Sequence, residues 1–331
     1  MRLAKSGPQP IFPPRGYIIG APKCGTTALA QYLSEHPQVA FSKPKEPHYF
    51  ANDLPGLQRT QDLKLYRSFF APTNKTRLLM EASVWYLYSQ TAVRAIRQAR
   101  PDARFIVMLR NPVRMLPSLH RQLVNAFDED EQDFETAWRL SDLRARGQQI
   151  PNRCRAPATL IYKHTAAFGE MLDRLWSEVP RDRTLVLFQE DMQADTAAVY
   201  RRALAFLGLD DDARQVFPRV NAAKRPRSRL LSYTIARGGA LRQLVSRPIK
   251  TAFGIKSLGV TKRLKQANSV PLSKISLRPE FEQEIAQHYA DELRQLAALF
   301  KGQIPRQFGW PPQDKPAAPT QPAQISTQDE D

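Results

Sequence analysis

The segment Tyr17-Ile18-Ile19-Gly20-Ala21-Pro22-Lys23-Cys24-Gly25-Thr26-Thr27-Ala28 constrains this chain more than any other. A short apolar run leads into a loop bounded by two glycines. The loop gives way to an apolar pattern, Ala28 to Leu33, that begins a helix. A buried strand feeding a glycine loop that opens a helix is how α/β proteins hold phosphate, because loop and helix N–H groups converge on the anion. Gly20 and Gly25 have the spacing of a nucleotide P-loop, yet Thr26 stands where that loop carries lysine. The lysine lies inside the loop instead, at Lys23. Thr27 fills the position whose hydroxyl would hold Mg²⁺. The loop is therefore suited to phosphate, with the pieces for metal-assisted γ-phosphoryl transfer rearranged.

The rest of the chain repeats the strand–helix alternation. Val39-Ala40-Phe41, Leu78-Leu79-Met80, Phe105-Ile106-Val107-Met108-Leu109 and Leu185-Val186-Leu187-Phe188 read as further buried strands. Helical spacing lies between them, as in Val93, Ile96 and Arg97, or Phe168, Met171, Leu172 and Leu175. Another helix, near 195–207, stops at Gly208. The pattern predicts an α/β fold with a central parallel sheet of about five strands flanked by helices. We divide the chain into an irregular lead-in (1–15), one domain (16–311) and a disordered tail (312–331) rich in Pro, Gln, Ser and Thr.

Hydrophobic residues make up 42% of the 331, enough for a full core. No apolar run approaches the roughly 18–20 residues of a membrane span, nor does Met1 to Pro14 hold a signal-length one, so a cytoplasmic protein is expected. Cys24 and Cys154 are the only cysteines and the five histidines are scattered, so no metal site is predicted. The formal net charge of +17 is unevenly spread: between Asp212 and Glu280 no acidic residue occurs, while sixteen Lys and Arg do. Within it, 224–275 reads as a basic, helical excursion. Such a surface suits a phosphorylated donor, an acidic acceptor or peripheral contact with a membrane; no specific nucleic-acid partner is called for.

Pro22-Lys23-Cys24-Gly25-Thr26-Thr27-Ala28-Leu29 resembles the 5′-phosphosulfate loop of the sulfotransferases that use 3′-phosphoadenosine-5′-phosphosulfate (PAPS), in particular the branch of heparan sulfate sulfotransferases and their bacterial relatives. The resemblance implies a P-loop-like sulfotransferase fold and PAPS as donor co-substrate, without a metal. It implies that Lys23 meets the bridging oxygen of the phosphosulfate, and that Cys24, Gly25, Thr26, Thr27 and Ala28 line its 5′-phosphate. Arg110-Asn111-Pro112-Val113-Arg114 through Ser118 resembles the family's 3′-phosphate segment, with Arg110 ending the strongest strand and Ser118 about two helical turns on. Lys45-Glu46-Pro47-His48-Tyr49-Phe50 resembles the stretch that carries the catalytic base of the glycosaminoglycan-modifying members. The base is then Glu46, with His48 second, both on one side if Pro47 keeps the segment extended.

Two further segments resemble the family. Glu81-Ala82-Ser83-Val84-Trp85-Tyr86-Leu87 matches a stretch that contributes to the acceptor cleft, but Ala82 replaces a lysine and Val84 a proline. Asn221 to Ser228 resembles a basic loop closing over the donor, so Lys224, Arg225 or Arg227 would meet the 3′-phosphate. The expected reaction is sulfuryl transfer to a hydroxyl, or in second place an amine, of a carbohydrate or glycan-like acceptor. A nucleotide-dependent kinase with a degenerate P-loop and a non-catalytic anion- or membrane-surface-binding protein are the alternatives; the acceptor is left open.

Overall fold

The computed structural model describes residues 11–218, 220, 224–226, 269–271 and 276–301, with backbone only for 224–226 and 269–271. The domain is built on strands β1 (Gly16–Gly20), β2 (Val39–Phe41), β3 (Leu78–Ala82), β4 (Arg104–Leu109) and β5 (Thr184–Phe188). They form a five-stranded parallel sheet in the order β2-β3-β1-β4-β5. All of β1 and β3 is buried, which explains why both read as continuous apolar runs and not as alternating ones. Tyr17 of β1 stacks on Phe105 of β4 with ring centroids 5.9 Å apart.

Helices α1 (Thr26–Ser34), α2 (Leu63–Arg67), α3 (Ala92–Ala99) and α4 (Pro112–Ala126) connect the first four strands and leave the fourth. After them come α5 (Phe134–Arg139), α6 (Ser141–Ala145), α7 (Phe168–Glu178), α8 (Gln189–Ala194) and α9 (Thr196–Leu207). Pro112 occupies the first turn of α4, where its missing N–H costs nothing, and the Asn111 side chain caps that turn by accepting from Val113 N. Gly208 ends α9 in the left-handed conformation, as its sequence position predicts.

The strand order fixes where a ligand can enter. From β1 the chain builds β2 and β3 on one side, then crosses to place β4 and β5 on the other. The loops leaving β1 and β4 therefore diverge, and the crevice between their carboxyl ends is the topological switch point, where open α/β sheets bind ligands. The glycine loop follows β1, and Arg110 follows β4 directly.

Near the C-terminus two helices, α10 (Pro279–His288) and α11 (Ala290–Leu299), meet at Tyr289, and Tyr289, Leu293 and Leu296 are buried. The basic excursion was expected to be helical, yet Lys224–Pro226 and Ser269–Pro271 are short strands paired antiparallel. The interior of that excursion, Arg227, most of the lead-in and the tail lie outside the described residues.

Candidate active site

Backbone geometry shapes the glycine loop first. Gly25 caps α1 with φ 87°, a conformation favouring glycine, and Lys23 has φ 62°. At Gly20 the reason is space: a Cβ there would lie 2.7 Å from Leu87 Cβ. Ala21 N donates to Met108 O at 2.7 Å, lashing the loop to the neighbouring strand. The first helical hydrogen bonds run from Ala28 N and Leu29 N to Gly25 O, so the N–H groups of Thr26 and Thr27 precede the ladder and face outward from the helix end. Cys24 is buried, its thiol donates to Pro22 O at 3.4 Å, and burial pushes its pKa up, so it shapes the loop and is no nucleophile.

Cations gather around this loop. Arg110 donates from Nη1 to Lys23 O at 3.3 Å, and the Lys23 ammonium donates to Gln122 Oε1 at 3.0 Å. Burial lowers the Lys23 pKa, and Arg121 and Arg110 lower it further. The same desolvation lowers Arg110, and Arg121 is lowered by burial and by Arg110. Three positive groups thus share one partly dry site. The carboxylates nearest it are at its edges: Glu190, which accepts from Asn111 N at 3.2 Å and interacts with Arg110, and Glu46, which interacts with Lys23. Ser118 is half-buried on α4, one turn before Arg121. Arg121 and Gln122 are not among the residues singled out from the sequence; their spacing of three and four residues from Ser118 is the signal that was available. Arg114 turns away and pairs with Glu282 at 3.3 Å.

The segment carrying Glu46 and His48 is not extended. Both residues have positive φ, 61° and 49°. The reason is a set of hydrogen bonds that outweighs the preference imposed by Pro47. The N–H groups of Glu46, His48 and Phe50 donate to Ala82 O (2.9 Å), Ser83 Oγ (3.0 Å) and Tyr86 Oη (3.1 Å). Arg59 adds bonds to the Glu46 and Pro47 carbonyls. Every residue from Glu81 to Leu87 is buried, so this stretch grips the Glu46 segment from beneath; it was expected to contribute to an acceptor cleft. At its root is Glu81, fully buried, which accepts from Ser83 Oγ at 2.8 Å and from the Tyr66 hydroxyl. Burial pushes the Glu81 pKa up to about 7, against the opposing effect of these two donors.

Glu46 itself keeps a third of its side chain exposed (34%) and pairs with Lys45 at 2.5 Å. Burial acts to raise its pKa, but Lys45, His48 and Arg59 outweigh that and hold it below the usual carboxylate range. His48 is buried, with Nε2 free of any hydrogen-bond partner, and burial pushes its pKa down to about 4. At neutral pH the pair is an ionised carboxylate beside a neutral imidazole. Of the basic loop only the backbone of Lys224–Pro226 is described, and it pairs as stated above.

Lys23, Arg110 after β4 and Arg121 on α4 thus lie together at the glycine loop, with Glu46 near enough to act on Lys23. The model of the sulfotransferase domain matches residues 13–222. The chain belongs to the sulfotransferase family. A 160-residue stretch of this sulfotransferase is 31% identical to heparan sulfate glucosamine 3-O-sulfotransferase 6 of Mus musculus, covering 44% of each chain. A 196-residue stretch is 28% identical to heparan sulfate glucosamine 3-O-sulfotransferase 3B1 of Mus musculus, over 59% of this chain and 46% of that one. The chain thus spans less than half the length of these curated relatives. Among solved structures, a sulfotransferase from Alicyclobacillus acidocaldarius shares the fold, with TM-score 0.62 and 23% identity over 89% of this chain and 98% of the other.

Proposed function

We propose that this sulfotransferase transfers a sulfuryl group from PAPS to a hydroxyl, or in second place an amine, of a carbohydrate or glycan-like acceptor. The observation that carries the donor reading is the Lys23 ammonium, set at the switch point between the phosphate loop, Arg110 and Glu46. The residues fit such a donor. Cations that lower one another's pKa are relieved by a bound anion, and a phosphosulfate with a 3′-phosphate supplies several negative charges. The carbohydrate acceptor is favoured by the relatives named above, which are heparan sulfate sulfotransferases.

Each residue then has a task. The loop N–H groups of Gly25, Thr26 and Thr27, with the α1 terminus behind them, hold the 5′-phosphate, and Cys24 and Ala28 complete the wall. Arg110 and Ser118 hold the 3′-phosphate, with Lys224, Arg225 or Arg227 closing over it. Glu46 takes the acceptor's proton as the acceptor oxygen forms its bond to sulfur. Lys23 donates to the bridging oxygen, which keeps the electron pair of the breaking S–O bond and leaves with the 5′-phosphate. No step asks for Lys23 to lose its proton, and the Glu46 field works to keep it charged. His48, neutral, stands next to Glu46 as the alternative base.

The test separates donor from chemistry. Lys23→Ala and Arg110→Ala are expected to weaken binding of 3′-phosphoadenosine-5′-phosphate (PAP), measured calorimetrically, while Glu46→Gln keeps that affinity and loses transfer of labelled sulfate. Unchanged PAP affinity in the first two variants would remove the donor assignment; full transfer by Glu46→Gln would remove the base.

A further inference from the structure

We infer that Arg121 is a third donor-binding cation, reaching an anionic oxygen of the donor between Lys23 and Arg110; this rests on the donor reading above. On α4, Ser118, Arg121 and Gln122 are three and four residues apart and so share a face. Gln122 shows where that face points, because its Oε1 accepts from the Lys23 ammonium at 3.0 Å. Arg121 is the strongest charged neighbour lowering Lys23, ahead of Arg110. Its own guanidinium is partly desolvated, and Nη1 is buried with no hydrogen-bond partner.

That last feature needs an explanation. A guanidinium has five N–H donors and no acceptor, so a buried unpartnered N–H gives up its water for nothing. Among the described residues no carboxylate forms an ion pair with Arg121, whereas Arg114, one helical stretch earlier, is paired with Glu282. Two nearby cations make the position worse still. All three costs disappear together when an oxyanion enters the site, since the same donors then bind it and the mutual repulsion is neutralised. Arg121 adds to the donor's grip from helix α4, while the resting Lys23–Gln122 bond is exchanged for one to the donor.

Binding to purified full-length protein tests this, with PAP, adenosine 5′-phosphosulfate and adenosine 5′-monophosphate as probes. Arg121→Gln is expected to weaken PAP binding roughly 10- to 100-fold, the range for loss of a charge-assisted hydrogen bond. Arg121→Lys should recover part of it, and Arg114→Gln on the same helix should change it by about twofold at most. If Arg121→Gln spares the monophosphate, its partner is the 3′-phosphate; if all three probes weaken together, its partner is at the 5′ end. Both results support the assignment. Wild-type affinity for all three probes in Arg121→Gln, or an effect confined to the acceptor's KM, would overturn it. Lys23→Ala and Arg110→Ala run alongside: if they also bind normally, the donor reading falls as a whole, and if they alone weaken, only the role of Arg121 falls.

Discussion

Glu81 offers the most quantitative check on the arrangement beneath the Glu46 segment. It is fully buried among Tyr17, Tyr66, Tyr86 and Ser83, and two hydroxyls donate to it. Two donors suit an ionised carboxylate, whereas burial favours the acid; burial prevails and the pKa stands at about 7. The unfolded chain returns it to an ordinary value near 4.5. Between those values the folded state holds a proton that the unfolded state has released, so stability is highest below about pH 4.5 on this account and falls as pH rises through 7. Integrated from pH 5 to pH 8, the loss from this one group is about 2.5 kcal/mol. Glu81→Gln keeps the shape, still accepts one of the hydroxyls, and carries no charge at any pH. The assay is urea denaturation of both proteins at pH 5, 6, 7 and 8. The difference between wild type and variant should move by about 2.5 kcal/mol in the variant's favour across that range. Parallel profiles would mean that Glu81 titrates alike in both states, and the reasoning from burial would fail.

Two further outcomes follow from the same network. Ser83→Ala leaves the buried His48 N–H without an acceptor and removes one donor from Glu81; a stability loss of about 2 kcal/mol by denaturation, with a fall in kcat larger than any change in PAP affinity, is expected. Because Glu46 is held below the usual carboxylate range, the acid limb of kcat/KM should lie below about pH 4.5, the base staying ionised above it and being lost as pH falls through its pKa. A limb centred near 6.5 would instead mark an imidazole of ordinary pKa as the base, contrary to the burial of His48.

The parallel sheet was legible because buried strands between helices must be apolar along their whole length, and Tyr17-Ile18-Ile19 and Phe105 to Leu109 are. Strand order was not, since the hydrogen bonds that set it are made by the backbone and leave no mark on side-chain identity; yet the order is what turns two separate motifs into one site. Lys23 and Arg110 are 87 residues apart and meet because β1 and β4 are neighbours. The same limit explains the Glu46 segment. Pro47 argued locally for an extended chain, but the three N–H groups of the segment are claimed by Ala82, Ser83 and Tyr86, and no local rule reports on partners more than thirty residues away. Arg121 was hidden for another reason. An arginine on a helix reads as a solvated charge unless its surroundings are known, and only the packing of α4 against the loop reveals a donor without an acceptor. What the sequence names, then, are groups whose chemistry is set by residue type, whereas the groups that tune them act through pairings across the sheet. Substitutions at Arg121 and Glu81 therefore probe how the fold works on Lys23 and Glu46, while substitutions at those two residues test the chemical roles proposed for them.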